Sequence, residues 1–170
     1  ERGASCGVAW HEALSLLRIW EYTVQARRGY FVEGFSGAQF IRGTEYAGIV
    51  RALEHPEEKL AWISAADPAQ CWGKLLTHRE GRNFINVPGT LVACRAGLPV
   101  AVFERQGKTL RVFEEGYLAE SLLLFAEEYR REKLFRGKKR IVVKEYPDNG
   151  AEALSGAGFL REMGDYVLYR

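Results

Sequence analysis

The feature that most constrains the fold is a helix-period segment that runs directly into a glycine-rich hairpin pattern. Apolar residues recur at helical spacing across Trp10–Gln25. Two strand-like runs, Arg28–Val32 and Ala38–Ile41, then flank the turn Glu33–Gly37. This arrangement is typical of a β-hairpin with a loop of three to five residues. A helix followed by an arginine-bearing hairpin is typical of the second half of a winged helix, whose hairpin is the wing.

The wing carries the first candidate nucleic-acid contacts. Arg27 and Arg28 are adjacent and Tyr30 stands near the hairpin tip, so these three residues are candidates for contact with nucleic-acid phosphates or bases. Side chains of adjacent strand residues point to opposite faces of the sheet, so at most one of the two arginines need contact a phosphate. The alternative is a solvated hairpin edge whose charges discourage pairing with another strand.

The rest of the chain predicts an α+β protein with two domains. His55-Pro56 ends a short helical pattern, because proline removes a backbone donor and disfavours a helical residue before it. We therefore expect a winged-helix remnant over residues 1–57. Short strands with glycine-bearing turns predict a small antiparallel sheet or barrel in residues 58–170. This module would include a helix over residues 117–133 and a terminal β-α-β-β segment.

A cluster of basic residues follows the second-half helix. Seven cations lie within eleven residues and only Glu132 opposes them. Helix-end charge accounts for two or three of these residues, whereas contacts with a sugar–phosphate backbone account for all of them. We predict nucleic-acid binding by the members of this basic segment, residues 130–140: Arg130, Arg131, Lys133, Arg136, Lys138, Lys139 and Arg140.

Composition and motifs limit the remaining possibilities. The formal net charge is only +2, so the distribution of charge has to carry any argument about nucleic acid. The sequence has no phosphate-binding Gly-x-x-x-x-Gly-Lys-Ser/Thr loop, and its three cysteines and three histidines lack ligand spacing. We therefore expect no cofactor or metal in this chain. Odd, widely spaced cysteines and the lack of a long apolar run predict a cytoplasmic location without a membrane span.

Three stretches resemble the C-terminal extension of Lhr-type large ATP-dependent DNA helicases of superfamily 2: Arg28–Val32, Gly37–Phe40 and Ala66–Ala69. The resemblance implies a parent enzyme whose absent motor domains bind ATP and magnesium and hydrolyse ATP. It also implies that this chain is a winged-helix accessory region that supports repair-linked translocation and unwinding. Its partners would be DNA, including single-stranded or forked DNA, and the upstream helicase domains.

Two other functions stay open from the sequence. The C-terminal region of this family is similar to winged-helix DNA glycosylases, which makes Asp67 and Gln39 weak catalytic candidates. A carboxylate near Trp72 could orient water beside an extruded base, but Asp67 could equally cap an Asx turn. The second alternative is a protein-docking scaffold within the helicase.

Overall fold

The computed structural model of the protein describes residues 8–32, 34 and 36–170. The chain divides into two compact units, Glu1–Pro56 and Glu57–Arg170. Four α-helices and three antiparallel sheets lie within the described residues. The predicted α+β class is therefore confirmed.

The first unit contains two helices and the wing. Helix α1 is Trp10–Tyr22, strands β1 and β2 are Ala26–Gly29 and Gln39–Arg42, and helix α2 is Tyr46–Glu54. Neither helix buries a side chain. The large apolar residues of α1 that lie exposed include Trp10, Leu16, Ile19 and Trp20.

Helix α1 ends three residues before the predicted end at Gln25. Val24 takes a left-handed backbone conformation with φ of 61°. The Gln25 N–H donates to the Trp20 carbonyl at 2.8 Å, and the Val24 N–H donates to the Glu21 carbonyl at 3.2 Å. These two bonds form a Schellman motif, which closes the helix with valine at the position that glycine usually takes.

The wing is longer than the sequence predicted. Its strands pair from Ala26–Arg42 to Gly29–Gln39, so nine residues connect them instead of three to five. The expected strand over Arg28–Val32 is therefore wrong beyond Gly29. The expected turn Glu33–Gly37 includes two positions, 33 and 35, that lie outside the described residues.

The second unit is built on two antiparallel sheets. The first comprises β3, Leu60–Ser64, β4, Leu91–Arg95, β5, Leu98–Glu104, and β6, Thr109–Val112. The second comprises β7, Arg140–Val143, β8, Leu160–Glu162, and β9, Asp165–Tyr169. The strand order is β3-β4-β5-β6 in the first sheet and β7-β9-β8 in the second. The meander thus forms an open sheet with β3 and β6 at its edges, not a closed barrel.

Helix α3, Leu118–Arg130, covers one face of the four-stranded sheet. Its Phe125 lies within 4.5 to 6.2 Å, centroid to centroid, of five aromatic rings. Helix α4, Gly150–Gly156, packs on α3. These elements share one continuous buried cluster, so burial of apolar surface holds the helices and both sheets together.

The other face of the four-stranded sheet is covered by the irregular segment 66–89. Phe84 from this segment joins Val92 and Val102 in a smaller buried cluster, with Trp72 packed against it. Side chains tie the segment down: Trp72 Nε1 donates to the Gly97 carbonyl and Arg82 to the Pro99 carbonyl, each at 2.8 Å. A long loop can therefore be ordered here without secondary structure of its own.

Helix α3 was predicted over residues 117–133 and ends at Arg130. Glu132 has φ of 60°, and the Lys133 N–H donates to the Glu128 carbonyl at 3.0 Å. This is a second Schellman motif without glycine. None of the helices in the described part of the chain combines the length and apolarity needed to cross a bilayer.

Candidate nucleic-acid interface

Both arginines of the wing contact neighbours in the first unit. The Arg27 guanidinium lies 4.5 Å from the centroid of the Tyr46 ring, and Arg28 Nε lies 3.3 Å from the Glu21 carboxylate. Stacking leaves the charge of Arg27 available, whereas the carboxylate offsets that of Arg28. Tyr30 is 90% exposed. Arg27 and Tyr30 are therefore the better placed of the three predicted wing contacts, and their binding to DNA stays a prediction.

Gln39 organises the backbone of the wing. Its Oε1 accepts from the Phe31 and Val32 N–H groups, both at 2.8 Å, and its Nε2 donates to the Val32 carbonyl at 3.0 Å. A side-chain amide thus supplies the hydrogen bonds that the next rungs of the β-ladder would have made. This arrangement explains the early end of the ladder, and it gives Gln39 a structural role whatever its part in chemistry.

Replacing Gln39 with alanine should release this part of the wing. Loss of a hydrogen-bond partner for two amides costs about 1–3 kcal/mol, so the Phe31 and Val32 amides should exchange with deuterium roughly 10- to 100-fold faster. Gln39→Glu serves as the comparison variant, because its carboxylate keeps an acceptor for both amides while it replaces the Nε2 donor with a charged oxygen. Unchanged exchange at both amides in Gln39→Ala would show that the amide does not hold the wing.

The basic segment is only partly neutralised by carboxylates. Arg131 lies 2.7 Å from Glu127, and Lys133 lies 4.0 Å from Glu128. Within the described residues, five of its seven cations form no ion pair: Arg130, Arg136, Lys138, Lys139 and Arg140. Available positive charge therefore concentrates in the second half of the segment.

The loop that carries these cations is fixed from two sides. The Tyr129 hydroxyl donates to the Lys138 carbonyl at 2.7 Å. From the end of β9, the Arg170 guanidinium donates to the Phe135 carbonyl at 3.3 Å and pairs with Glu132 at 3.1 Å. Burial raises the pKa of Tyr129, while Arg170 acts in the opposite direction, so the phenol stays a donor. A loop already held in place loses little entropy when it binds a ligand.

Lys108 is a further cation beside the basic segment, and the sequence analysis did not single it out. Lys138 Nζ donates to the Gln106 carbonyl at 2.6 Å, which places the basic segment beside the turn Arg105–Gly107. The pKa of Lys138 is lowered by burial and by repulsion from Lys108. Lys108 is a single lysine in a hairpin turn, thirty residues before Lys138, so no local sequence pattern indicates that the two residues lie near each other.

Asp67 occupies a structural turn in the second unit. Its Oδ1 accepts from the Ala69 N–H at 2.8 Å, an Asx turn. Its carbonyl accepts from Lys74 Nζ at 2.6 Å. In the described residues, no group of three or more His, Cys, Asp or Glu side chains could hold a metal ion.

A sequence comparison identifies the first unit. Residues 2–62 match the model of the winged-helix domain of the large helicase-related protein, Lhr. This segment is similar to the Lhr winged-helix domain. The match covers the helix, the wing and α2, so the relationship to the C-terminal region of Lhr-type helicases that was inferred from the sequence is confirmed.

A curated relative extends the Lhr match. The chain is 34% identical over 110 residues to a Mycolicibacterium smegmatis protein named "Lhr helicase/probable uracil glycosylase". The matched region is 58% of this chain and 7% of that protein. The chain therefore spans only a small part of the length of this much longer relative.

Proposed function

We propose that this chain is a DNA-binding accessory region of an Lhr-type ATP-dependent helicase, and that it grips the sugar–phosphate backbone without reading base sequence. Two observations carry the proposal. Arg136, Lys138, Lys139 and Arg140 form no ion pairs within the described structure. They lie in the loop 131–139 and at the start of β7, and Tyr129 and Arg170 hold this fixed loop in place. In this role the chain supports repair-linked translocation and unwinding in the cytoplasm.

Backbone contact is favoured over base readout by the residues of the winged helix itself. Base-reading helices present Arg, Asn or Gln to the groove, and α1 contains only Arg18 of these types. Electrostatic binding to phosphates needs cations in a groove or on a loop, with an aromatic residue nearby for stacking. Arg27 with Tyr30 provides this combination in the first unit, and the basic segment provides the cations in the second.

In this proposal, other domains of the parent protein bind and hydrolyse ATP. No residues of this chain form a phosphate-binding loop of the motor type. ATP and magnesium would therefore be bound by upstream motor domains, for which the exposed apolar side chains of α1 offer a docking surface. A chain that stays associated with those motor domains but ignores DNA would favour a scaffold role instead.

The proposal is tested by a salt titration of the 170-residue chain against single-stranded, duplex and forked DNA. We expect Kd values of about 0.1–10 μM at low salt, with log K falling by roughly 0.9 per phosphate contact on duplex DNA as log salt rises. Weak dependence on base sequence is also expected. Absence of binding to all three DNA forms at low salt would reject the function.

A second candidate is uracil excision from DNA, because the curated relative carries the words "probable uracil glycosylase". In this reading Asp67 orients water at the sugar carbon of an extruded base. The test is release of abasic sites from uracil-containing DNA by the chain, by Asp67→Asn and by Gln39→Ala, with uracil-free DNA as the control substrate. Activity that survives both substitutions would remove these residues from the mechanism, and inactivity of the unmodified chain would reject this candidate.

A further inference from the structure

Two loops of the second unit meet beside the sheet edge and bring two lysines together. One is the turn between β5 and β6 with Lys108 at its end, and the other is the basic segment with Lys138. Their contact is direct, because Lys138 Nζ donates to the carbonyl of Gln106 at 2.6 Å. The juxtaposition therefore links residues that are far apart in sequence.

The backbone of both loops is locked in position. The Lys108 carbonyl accepts from the N–H groups of Lys144 and Glu145, at 2.8 and 3.1 Å. A Cβ at Gly107 would lie 2.7 Å from Ile141, so only glycine allows the turn to approach β7 this closely. Movement of either lysine backbone would break these contacts.

The β5–β6 turn also holds an uncommon backbone conformation. Arg105, Gln106 and Gly107 are consecutive residues with φ of 51°, 60° and 89°. Only glycine adopts this region without cost, and such outliers concentrate at binding and catalytic sites. A hydrogen bond from the Gln106 N–H to the Gly89 carbonyl, at 2.8 Å, helps to hold the turn in this conformation.

The two lysine ammonium groups at this corner are not compensated by carboxylates of the described residues. Burial and, to a smaller extent, repulsion from Lys108 lower the pKa of Lys138. Among the described residues neither lysine has a carboxylate partner, and the neighbouring Glu145 is already bound to Arg105 and Thr109. A bound anion would relieve this repulsion.

We propose that Lys108 and Lys138 form the two sides of a phosphate site, which holds one phosphate group of a nucleic-acid backbone. The inference rests on the proposed DNA-binding function and locates one of its contacts. Lys138 reaches the phosphate from the fixed loop, and Lys108 reaches it from the locked turn. The adjacent Lys139 and Arg140 continue the positive surface along the chain.

The test measures DNA binding as a function of salt for three variants of the full chain: Lys108→Gln, Lys138→Gln and the double variant that combines both. The control is Lys59→Gln. Lys59 is an exposed lysine before edge strand β3, without an ion pair in the described structure. The double variant should lower the slope of log K against log salt by about 0.9, the value of one duplex phosphate contact, while Lys59→Gln leaves the slope unchanged. A double variant with an unchanged slope, in a chain that still binds DNA, would overturn the site and leave the proposed function intact.

A second arm uses inorganic phosphate and needs no DNA. NMR titration of 13C-methylated lysines should show that phosphate raises the pKa of Lys138, and that Lys108→Gln weakens this response. If the unmodified chain binds no DNA but shows the response, the proposed function fails and the corner is a site for free phosphate. If phosphate moves no lysine signal and the salt slope is also unchanged, the site is rejected.

Discussion

Reversing the charge of the fixed loop is expected to abolish DNA binding. A variant with glutamate at positions 136, 138, 139 and 140 should raise Kd at least about 100-fold, or roughly 2.7 kcal/mol. Four potential phosphate contacts would be replaced by four repulsive charges, which should also remove most of the salt dependence. The measurement is fluorescence anisotropy of labelled forked and duplex DNA across a range of salt concentrations.

A control with the same net charge separates position from total charge. Four exposed cations without ion pairs in the described structure are replaced by glutamate in this control: Arg18, Arg51, Lys59 and Arg161. It should bind DNA within about tenfold of the unmodified chain, because long-range repulsion is screened beyond roughly 10 Å at 0.1 M salt. Equal losses in both variants would mean that total charge, and not the loop, governs binding. Circular dichroism of both variants checks that each is folded.

Truncation of Phe125 should produce the largest loss of stability in the second unit. Its ring lies 4.5 Å from Phe103 and 5.4 Å from Trp62, centroid to centroid, and it is fully buried. Phe125→Ala removes these contacts and leaves a cavity, which costs about 3–5 kcal/mol. Small domains are stable by only about 5–15 kcal/mol in total, so this variant approaches the limit of folding.

Two further variants keep the prediction measurable. Phe125→Leu keeps most of the volume and should cost about 1–2 kcal/mol. Leu123→Ala on the same helix changes a side chain that is 54% exposed, and should change stability by only about 0.5 kcal/mol. Hydrogen exchange of the β4 and β5 amides reports the free energy of unfolding of this unit alone. Similar losses for Phe125→Leu and Leu123→Ala would contradict the packing argument.

The sequence predicted those parts of the fold that depend on local periodicity. The helices, the meander and the terminal hairpin follow from apolar repeats and glycine-bearing turns. The predicted ends of helices and strands are wrong where a side-chain hydrogen bond or a rare backbone conformation ends the element without the usual glycine. Val24 and Glu132 end helices in left-handed conformations where glycine is expected, and Gln39 ends the wing ladder with its side-chain amide.

The sequence predicts which cations the candidate interface contains, but not their ion pairs or the contacts that position them. Seven cations in eleven residues are visible in the sequence. The ion pairs of Arg131 and Lys133, however, depend on where α3 ends. The contributions of Lys108 and Arg170 require contacts across 32 or more residues, which no local pattern encodes.

The contacts of Arg170 make the shape of the basic loop depend on the formation of strand β9. Arg170 follows β9, and its N–H also donates to the Lys139 carbonyl at 3.3 Å. Strand β9 pairs with both β7 and β8, so the loop reaches its final shape only after β9 has inserted between these two strands. Before this strand forms, the same cations would lie on a loop without the Arg170 contacts, so the proposed interface depends on a pairing that is not local in sequence.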